Sequence, residues 1–477
     1  MTARTTPILS VWGFLAATCI PLSAHAATLQ VGPGKTYAKP CMAIAAAAAG
    51  DTIEVDASGS YAGDTCAWGT DNLTIRGVGG RAKIDLTGVQ PAQKKGIFTI
   101  SANTATVENF ELSGAAISVA DGNNGAGIRH QGLNLTVRNC FFHDNQNGIL
   151  GAPSTGQMGN VLVENSEFAN NGAGDGFSHN MYMGNYARFT LQYSYSHRGK
   201  VGHLIKSRAK ENHILYNRIT DEAGGTASYE IDLPNGGFSR IIGNLIEQSS
   251  GTQNPAMIAY AAEGLTAGYD AHLYVINNTF LNNRGSGTFV NNTTSTPGLL
   301  ANNIFWNGGT ISGQASALQA SNFVGPSGGD PAFTDVSKYD VRLLMDSPCI
   351  NKGTDVNNAG SQPLGAVFHY VHPLQAQART VVGGSIDIGA YEYGTAPPNT
   401  DGGAADDAGT GGGSDGGTGG GGSTPTGCSC HVGGPAVPPS LPLAGLALSA
   451  LALIVRRPSR RPRRSPSRSP RRSRVSR

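Results

Sequence analysis

Three short stretches in the middle of the chain carry the side chains best suited to chemistry: SHNMYMGNYA from Ser178, GHLIKSRAKE from Gly202 and YEIDLPNGGF from Tyr229. Aligned on the apolar residues Met181, Ile205 and Ile231, they bring Tyr182, Lys206 and Asp232 to one outward position, because side chains along a strand alternate between faces. Glu230 stands one outward step before Asp232, and Arg208 one step after Lys206. His179 and His203 fall at the start of their strands, with Asn180 and Tyr186 nearby. The register matters, since a one-residue slip would turn Lys206 to the opposite face.

A cation, a base and an acid on one face suit β-elimination at a uronic acid. That reaction neutralises the carboxylate so that the neighbouring carbon gives up its proton, and it protonates the leaving glycosidic oxygen. Lys206 is the candidate base, because an amine desolvated beside the Arg208 cation sheds its proton more readily. Arg208 is placed to hold the carboxylate as a fork. Tyr182, His179 or His203 supplies the acid, with His179, Asn180 and Tyr186 contacting the sugar. Glu230 and Asp232 are oxygen donors of the kind Ca²⁺ takes. The expected partner is an acidic polysaccharide.

The rival enzymatic expectation is a glycoside hydrolase using Glu230 and Asp232, alternate residues on one strand and about 6.6–7 Å apart along the backbone. The non-enzymatic alternative is a carbohydrate-binding, adhesin-like solenoid. A blander reading is that Lys, Arg and Asp of neighbouring coils pair across the ladder, each pair adding under about 1 kcal/mol. Against it, six basic residues from His203 to Arg218 fall within 16 positions of a chain that is only 14% charged. Lys210 and Arg218 are assigned to surface charge.

The scaffold that must position these groups is a repeat. VENFELSG (from Val107), VRNCFFHDN (Val137), VENSEFANN (Val163), LQYSYSHRG (Leu191), LYNRITDEAG (Leu215), IGNLIEQSSG (Ile242), VINNTFLNN (Val275) and LANNIFWNGG (Leu300) share one pattern, an apolar residue followed by x-Asn and more apolar residues. Anchored on Asn109, Asn139, Asn165, Tyr193, Asn217, Asn244, Asn277 and Asn302, the spacings are 30, 26, 28, 24, 27, 33 and 25. Short alternating segments at this period predict a solenoid whose coils bury their apolar faces on one another. Asn at a repeated corner tolerates left-handed backbone and can stack as a ladder. Leu is too scarce at fixed offsets for a leucine-rich repeat, and propeller blades need about 40 residues or more. The expected fold is all-β, a right-handed parallel β-helix over residues 27–393, with a capping helix near Lys39–Ala49.

The termini differ from this body. Residues 1–26 read as a signal peptide, with Arg4, an apolar run and the small-x-small site Ala24-His25-Ala26. Export makes Cys41 and Cys66 disulfide candidates, while Cys140 and Cys349 read as single core residues. Residues 394–427 form a Gly-rich linker with no means of building a core. Residues 428–477 hold Cys428-Ser429-Cys430, the apolar run Leu441–Val455 and 11 arginines from Arg456 onward. Without those 11 the formal net charge of +2 becomes about −9, so the basicity belongs to the tail. An apolar run directly before the arginines favours a stop-transfer signal over a nucleic-acid-binding tail.

Two resemblances follow from these residues. The Gly-rich linker, GCSC, apolar run and Arg cluster resemble the MYXO-CTERM sorting signal, which implies cleavage near Cys428 or Cys430 and routing to the cell surface or medium. A membrane is then met only through that segment, and the expected product is a secreted or surface-bound monomer with no nucleic-acid partner. The coils, with DPAFTDVSKYDVRLLMDSPCINKG and IDIGAYEY downstream, resemble the pectate-lyase-like β-helix superfamily. LIKSRAKEN…YNR is faintly similar to the Lys-Ser signature of the chondroitinase B/alginate lyase family, which implies Lys206 as Brønsted base. That family's Arg-His-Gly element has no counterpart in SYEIDLPNGG, so the acid stays unassigned.

Overall fold

The computed structural model describes residues 26–153 and 157–395. The signal peptide, most of the linker and the sorting segment with its apolar run lie outside them. Among the described residues no helix is long and apolar enough to cross a membrane.

Each coil contributes one strand to each of three parallel sheets, of twelve, ten and ten strands, with every neighbour one coil away in sequence. This is the right-handed parallel β-helix that the repeat period requires. The interior is built from like residues stacked on like. Phe142 lies on Phe168 with centroids 4.9 Å apart, and Phe280 on Phe305 at 5.0 Å. Ile231 sits between Ile205 and Ile258 in register.

The repeated corner is two rows, and the anchors chosen from sequence mix them. The left-handed row runs Asn109, Asn139, Asn165, Tyr193, Tyr216, Gly243, Asn277 and Asn302, all with φ between 49° and 68°. Asn217 and Asn244 belong one residue later, in a buried row with Ser166, Ser194, Asn278 and Asn303. There Asn217 Nδ2 donates to Asn244 Oδ1 (3.0 Å), Asn244 Nδ2 to Asn278 Oδ1 (2.9 Å) and Asn278 Nδ2 to Asn303 Oδ1 (3.0 Å). The same side chains also satisfy backbone groups at each turn, as buried amides must. Tyr and Gly replace Asn in the left-handed row where a coil needs a ring or a bare backbone at its corner.

The first coil is capped by the helix Pro40–Ala46, which buries Pro40, Ala43 and Ile44. It stops before the expected Ala49 because the Asp51 carboxylate draws Ala48 N–H into a turn (2.8 Å). The Cys41–Cys66 disulfide joins this helix to the adjacent strand, and Asp64 accepts from Cys41 N–H at its first turn (2.9 Å). Cys140 and Cys349 are free and buried.

Beyond the last coil, the hairpins Phe333–Asp335/Asp340–Leu343 and Phe368–Val371/Gln375–Ala378 fold back along the outside of the stack. The closing segment from Thr354 to Asp387, which includes the second hairpin, grips the left-handed corner row. Asn165 Nδ2 reaches Leu374 O (2.7 Å), Val367 N–H donates to Tyr216 OH (3.1 Å), Asn277 Nδ2 to Asp387 O (2.9 Å) and Asn302 Nδ2 to Thr354 O (2.8 Å). Phe368 packs edge-on against Tyr193 and Tyr216. Arg218, expected on the surface, is instead buried in this region. Its guanidinium lies between the Tyr195 and Tyr339 rings at 4.7 and 4.6 Å and pairs with Glu222 at 3.0 Å.

Candidate functional site

The strands Met181–Met183, Ile205–Ser207 and Ile231–Leu233 lie side by side in one ten-stranded sheet. Tyr182 pairs in register with Lys206, and Lys206 with Asp232. The alternation read from sequence therefore holds, with Ile205 and Ile231 inward and the three polar residues outward. Arg208 follows and shares their face, with its Nε donating to Tyr182 OH (2.8 Å) and its N–H held by Met183 O (2.8 Å) of the preceding coil.

Contacts among these side chains form one network. Lys206 Nζ is 3.2 Å from Asp232 Oδ2 and lies 5.6 Å from the Tyr182 ring centroid. Arg208 Nε donates to Tyr182 OH (2.8 Å), and its other nitrogens reach Asn235 Oδ1 and Glu263. Glu263 spans both cations, with one carboxylate oxygen 2.7 Å from Arg208 Nη2 and the other 3.8 Å from Lys206 Nζ. Its side chain is 52% exposed, against 12% for Lys206 and 22% for Arg208. Two cations on one outward face are thus bridged by a carboxylate from a half-exposed side chain, an arrangement any incoming carboxylate can copy.

His203 belongs to this group, with Nε2 3.4 Å from Asp232 Oδ2. Burial holds its imidazole well below the usual histidine value, and His179 and Lys206 push the same way. Burial thus disfavours the imidazolium here despite the carboxyl 3.4 Å away. His179 stacks on it at 4.4 Å and accepts from His203 N–H through Nδ1 (3.0 Å). Burial, with the Lys206 and Arg208 charges, drives His179 down to about 3. Burial pushes the Asp232 carboxyl up, and the Lys206 ammonium opposes the shift.

Three expected site residues point elsewhere. Asn180 is fully buried, accepting from Asn171 Nδ2 (3.0 Å) and donating to Ser196 Oγ (3.1 Å) and His197 O (2.8 Å), so it is a ladder residue. Tyr186 is fully buried with its hydroxyl 2.7 Å from His130 Nδ1. Glu230 is also fully buried; neither oxygen has a hydrogen-bond partner, and its acidic neighbours are Asp221 and Glu247. The cause is a corner where residues 230 and 231 both turn inward, which breaks strict alternation. Glu230 and Asp232 therefore form neither a shared calcium cage nor a hydrolase pair. Among the described residues no group of three or more His, Cys, Asp or Glu is arranged to hold a metal.

Sequence reading missed Glu263, Asn235 and Tyr269, whose hydroxyl donates to Arg208 O (3.3 Å). Two of these, Glu263 and Tyr269, come from the connection between the strands Ala256–Tyr260 and Leu273–Ile276. The signal was the 33-residue spacing from Asn244 to Asn277, the longest in the series, since extra length in a solenoid coil is a surface loop.

The fold is similar to the crystal structure of pectate lyase Pel9A, at 17% identity and a TM-score of 0.53, over 78% of this chain and 97% of that one. At that identity the likeness shows the shared β-helix and nothing about the reaction. A pectin methylesterase from Aspergillus niger overlaps at 12% identity and a TM-score of 0.31, over 65% of this chain and 88% of that one, too loosely to carry an argument. No protein-family model and no curated protein matches the sequence.

Proposed function

We propose that this β-helix cleaves an acidic polysaccharide by β-elimination on the face carrying Tyr182, Lys206, Arg208 and Asp232. The observation that carries the reading is Glu263, whose carboxylate bridges Lys206 and Arg208 as a uronate carboxylate would. On binding, the substrate's carboxylate displaces it and takes the Arg208 fork. Lys206 passes its proton to Asp232, whose carboxyl burial already favours the neutral form, and then removes the proton beside the substrate carboxylate. The electron pair forms the carbon–carbon double bond as the glycosidic bond breaks. Tyr182 hydroxyl, which accepts from Arg208 Nε and keeps its own proton free, protonates the leaving oxygen.

The Cys41–Cys66 disulfide supports a site of action outside the reducing cytoplasm, in keeping with export and surface routing. The second reading, a non-catalytic glycan-binding solenoid, is favoured by the Lys206–Asp232 pair, in which a carboxylate of the protein already occupies the amine at 3.2 Å. One experiment separates them. The residue 27–393 body is incubated with alginate, pectate and glycosaminoglycans, with and without Ca²⁺, while the ultraviolet absorbance of unsaturated uronate is followed. Absorbance that grows with time and vanishes in Lys206→Ala supports elimination, and its dependence on calcium shows whether Asp232 recruits that ion. Binding without product would establish the solenoid reading, and new reducing ends without absorbance would point to hydrolysis.

A further inference from the structure

The outward row that holds Lys206 continues toward the N-terminal end without a break. In register, Ala67 pairs with Thr99, Thr99 with Arg129, Arg129 with Leu150, and Leu150 with Tyr182. The charge along this row is one-sided. Upstream of Lys206 it carries one cation and no carboxylate, whereas Asp232 stands immediately downstream and Glu263 flanks the same end.

Arg129 differs from the other cations of this face. Lys206 and Arg208 each hold a carboxylate. Among the described residues, no hydrogen bond or ion pair engages the Arg129 guanidinium; its Nε is buried without a partner. Burial lowers its pKa and no carboxylate offsets the shift. A half-buried cation with an unanswered N–H is a costly group to keep unless an anion completes it. One coil further lies a cavity of about 180 Å³ lined by Trp68, Gln93, Thr99, Ser101 and Gln131. The Trp68 indole itself is packed into the core against Phe98, so the cavity offers mainly the hydroxyls of Thr99 and Ser101 and the amides of Gln93 and Gln131, polar groups of the kind that meet sugar hydroxyls.

We propose that Arg129 is a distal anion subsite of this face, binding a carboxylate of the same acidic glycan, with the polar cavity at Thr99 and Ser101 receiving the sugar beyond. Arg129 is three strand steps from Lys206, about 14 Å at 4.7–4.9 Å per step. A bound chain therefore extends from Lys206 toward the capped end, away from Asp232 and Glu263. The inference rests on the acidic-glycan reading of the site and sets the direction and reach of the ligand.

The test is calorimetric binding of oligogalacturonates and oligoalginates of graded length to the wild-type chain, Arg129→Gln and Arg129→Lys, with methyl-esterified oligomers as uncharged controls. In wild type, affinity rises once an oligomer is long enough to span both sites, and the methyl esters lack that rise. Arg129→Gln removes it, a loss of roughly tenfold or more for a charge-assisted contact, and leaves the shortest oligomers unaffected. Arg129→Lys keeps part of it, having the charge without the fork. A length dependence unchanged in Arg129→Gln, with both proteins equally stable to heat, overturns the subsite and leaves the site reading intact. Failure of every acidic oligomer to bind wild type overturns both.

Discussion

Glu263→Ala offers the sharpest test of the proposed site, because a carboxylate held where the ligand's would bind can only oppose binding. On the proposed reading, an acidic substrate displaces Glu263 from Arg208 and Lys206, where its oxygens lie at 2.7 and 3.8 Å. A pair with one partner 52% exposed contributes about 0.2–1 kcal/mol. Removing the carboxylate also removes repulsion on an incoming anion, about 1 kcal/mol for charges 4 Å apart in water. The two effects add to roughly 1–2 kcal/mol, so acidic oligosaccharides should bind about 5–30 times more tightly. Global stability should fall by no more than about 1 kcal/mol. The assay is titration calorimetry at two ionic strengths, with the gain shrinking at high salt as screening weakens the repulsion. Unchanged or weaker binding in Glu263→Ala would refute the idea that this residue stands where the substrate carboxylate goes.

Other expectations follow from the same network and its scaffold. Asn244→Ala should cost about 2–6 kcal/mol in denaturant unfolding, since Asn217 N–H and Ile214 C=O lose their partner and each orphaned group costs about 1–3 kcal/mol. Burial pushes Asp221 up to about 7 and raises Glu230 well above the usual carboxylate range, with Asp221 and Glu247 adding to the Glu230 shift. Raised carboxyls favour the folded state while protonated. Their contribution should therefore be complete below about pH 4 and fade as pH rises through about 7. Glu230→Gln should flatten that decline and raise the neutral-pH melting temperature, and a pH-independent wild-type melt would contradict it. Reduction of Cys41–Cys66, which closes a 25-residue separation, should destabilise the capped end by about 3–4 kcal/mol, read as earlier proteolysis near the helix Pro40–Ala46.

The row Tyr182–Lys206–Asp232 was legible because strand alternation is local and each of the three strands opens on an apolar inward residue, Met181, Ile205 or Ile231, with the polar residue next. Glu230 was misplaced by the same rule, since a solenoid corner turns two successive residues inward and no pattern within YEIDLP marks where the strand ends. Asn217 and Asn244 were mistaken for corner residues because two adjacent rows both use Asn for different reasons. One row exploits its tolerance of left-handed backbone, the other its paired donor and acceptor. Tyr186 and Asn180 are polar residues whose partners, His130 and Ser196, lie in other strands and become neighbours only once the coils stack. Glu263 reaches Arg208 from 55 positions along the chain, a contact set by a loop's path rather than by any periodicity.

The closing segment changes how this molecule comes apart. A stack of coils that touch only their neighbours unravels from whichever end is weaker, one repeat at a time. Here bonds from residues 354 to 387 reach back to corners at Asn165, Tyr216, Asn277 and Asn302, tying coils that lie far apart in the stack. The last coils cannot peel away until that strap lifts, and lifting it loosens the middle coils together with the end. Loss is thereby converted from a gradual unzipping into a single concerted event, and the segment of chain that carries Lys206 and Arg208 lies inside the strapped span.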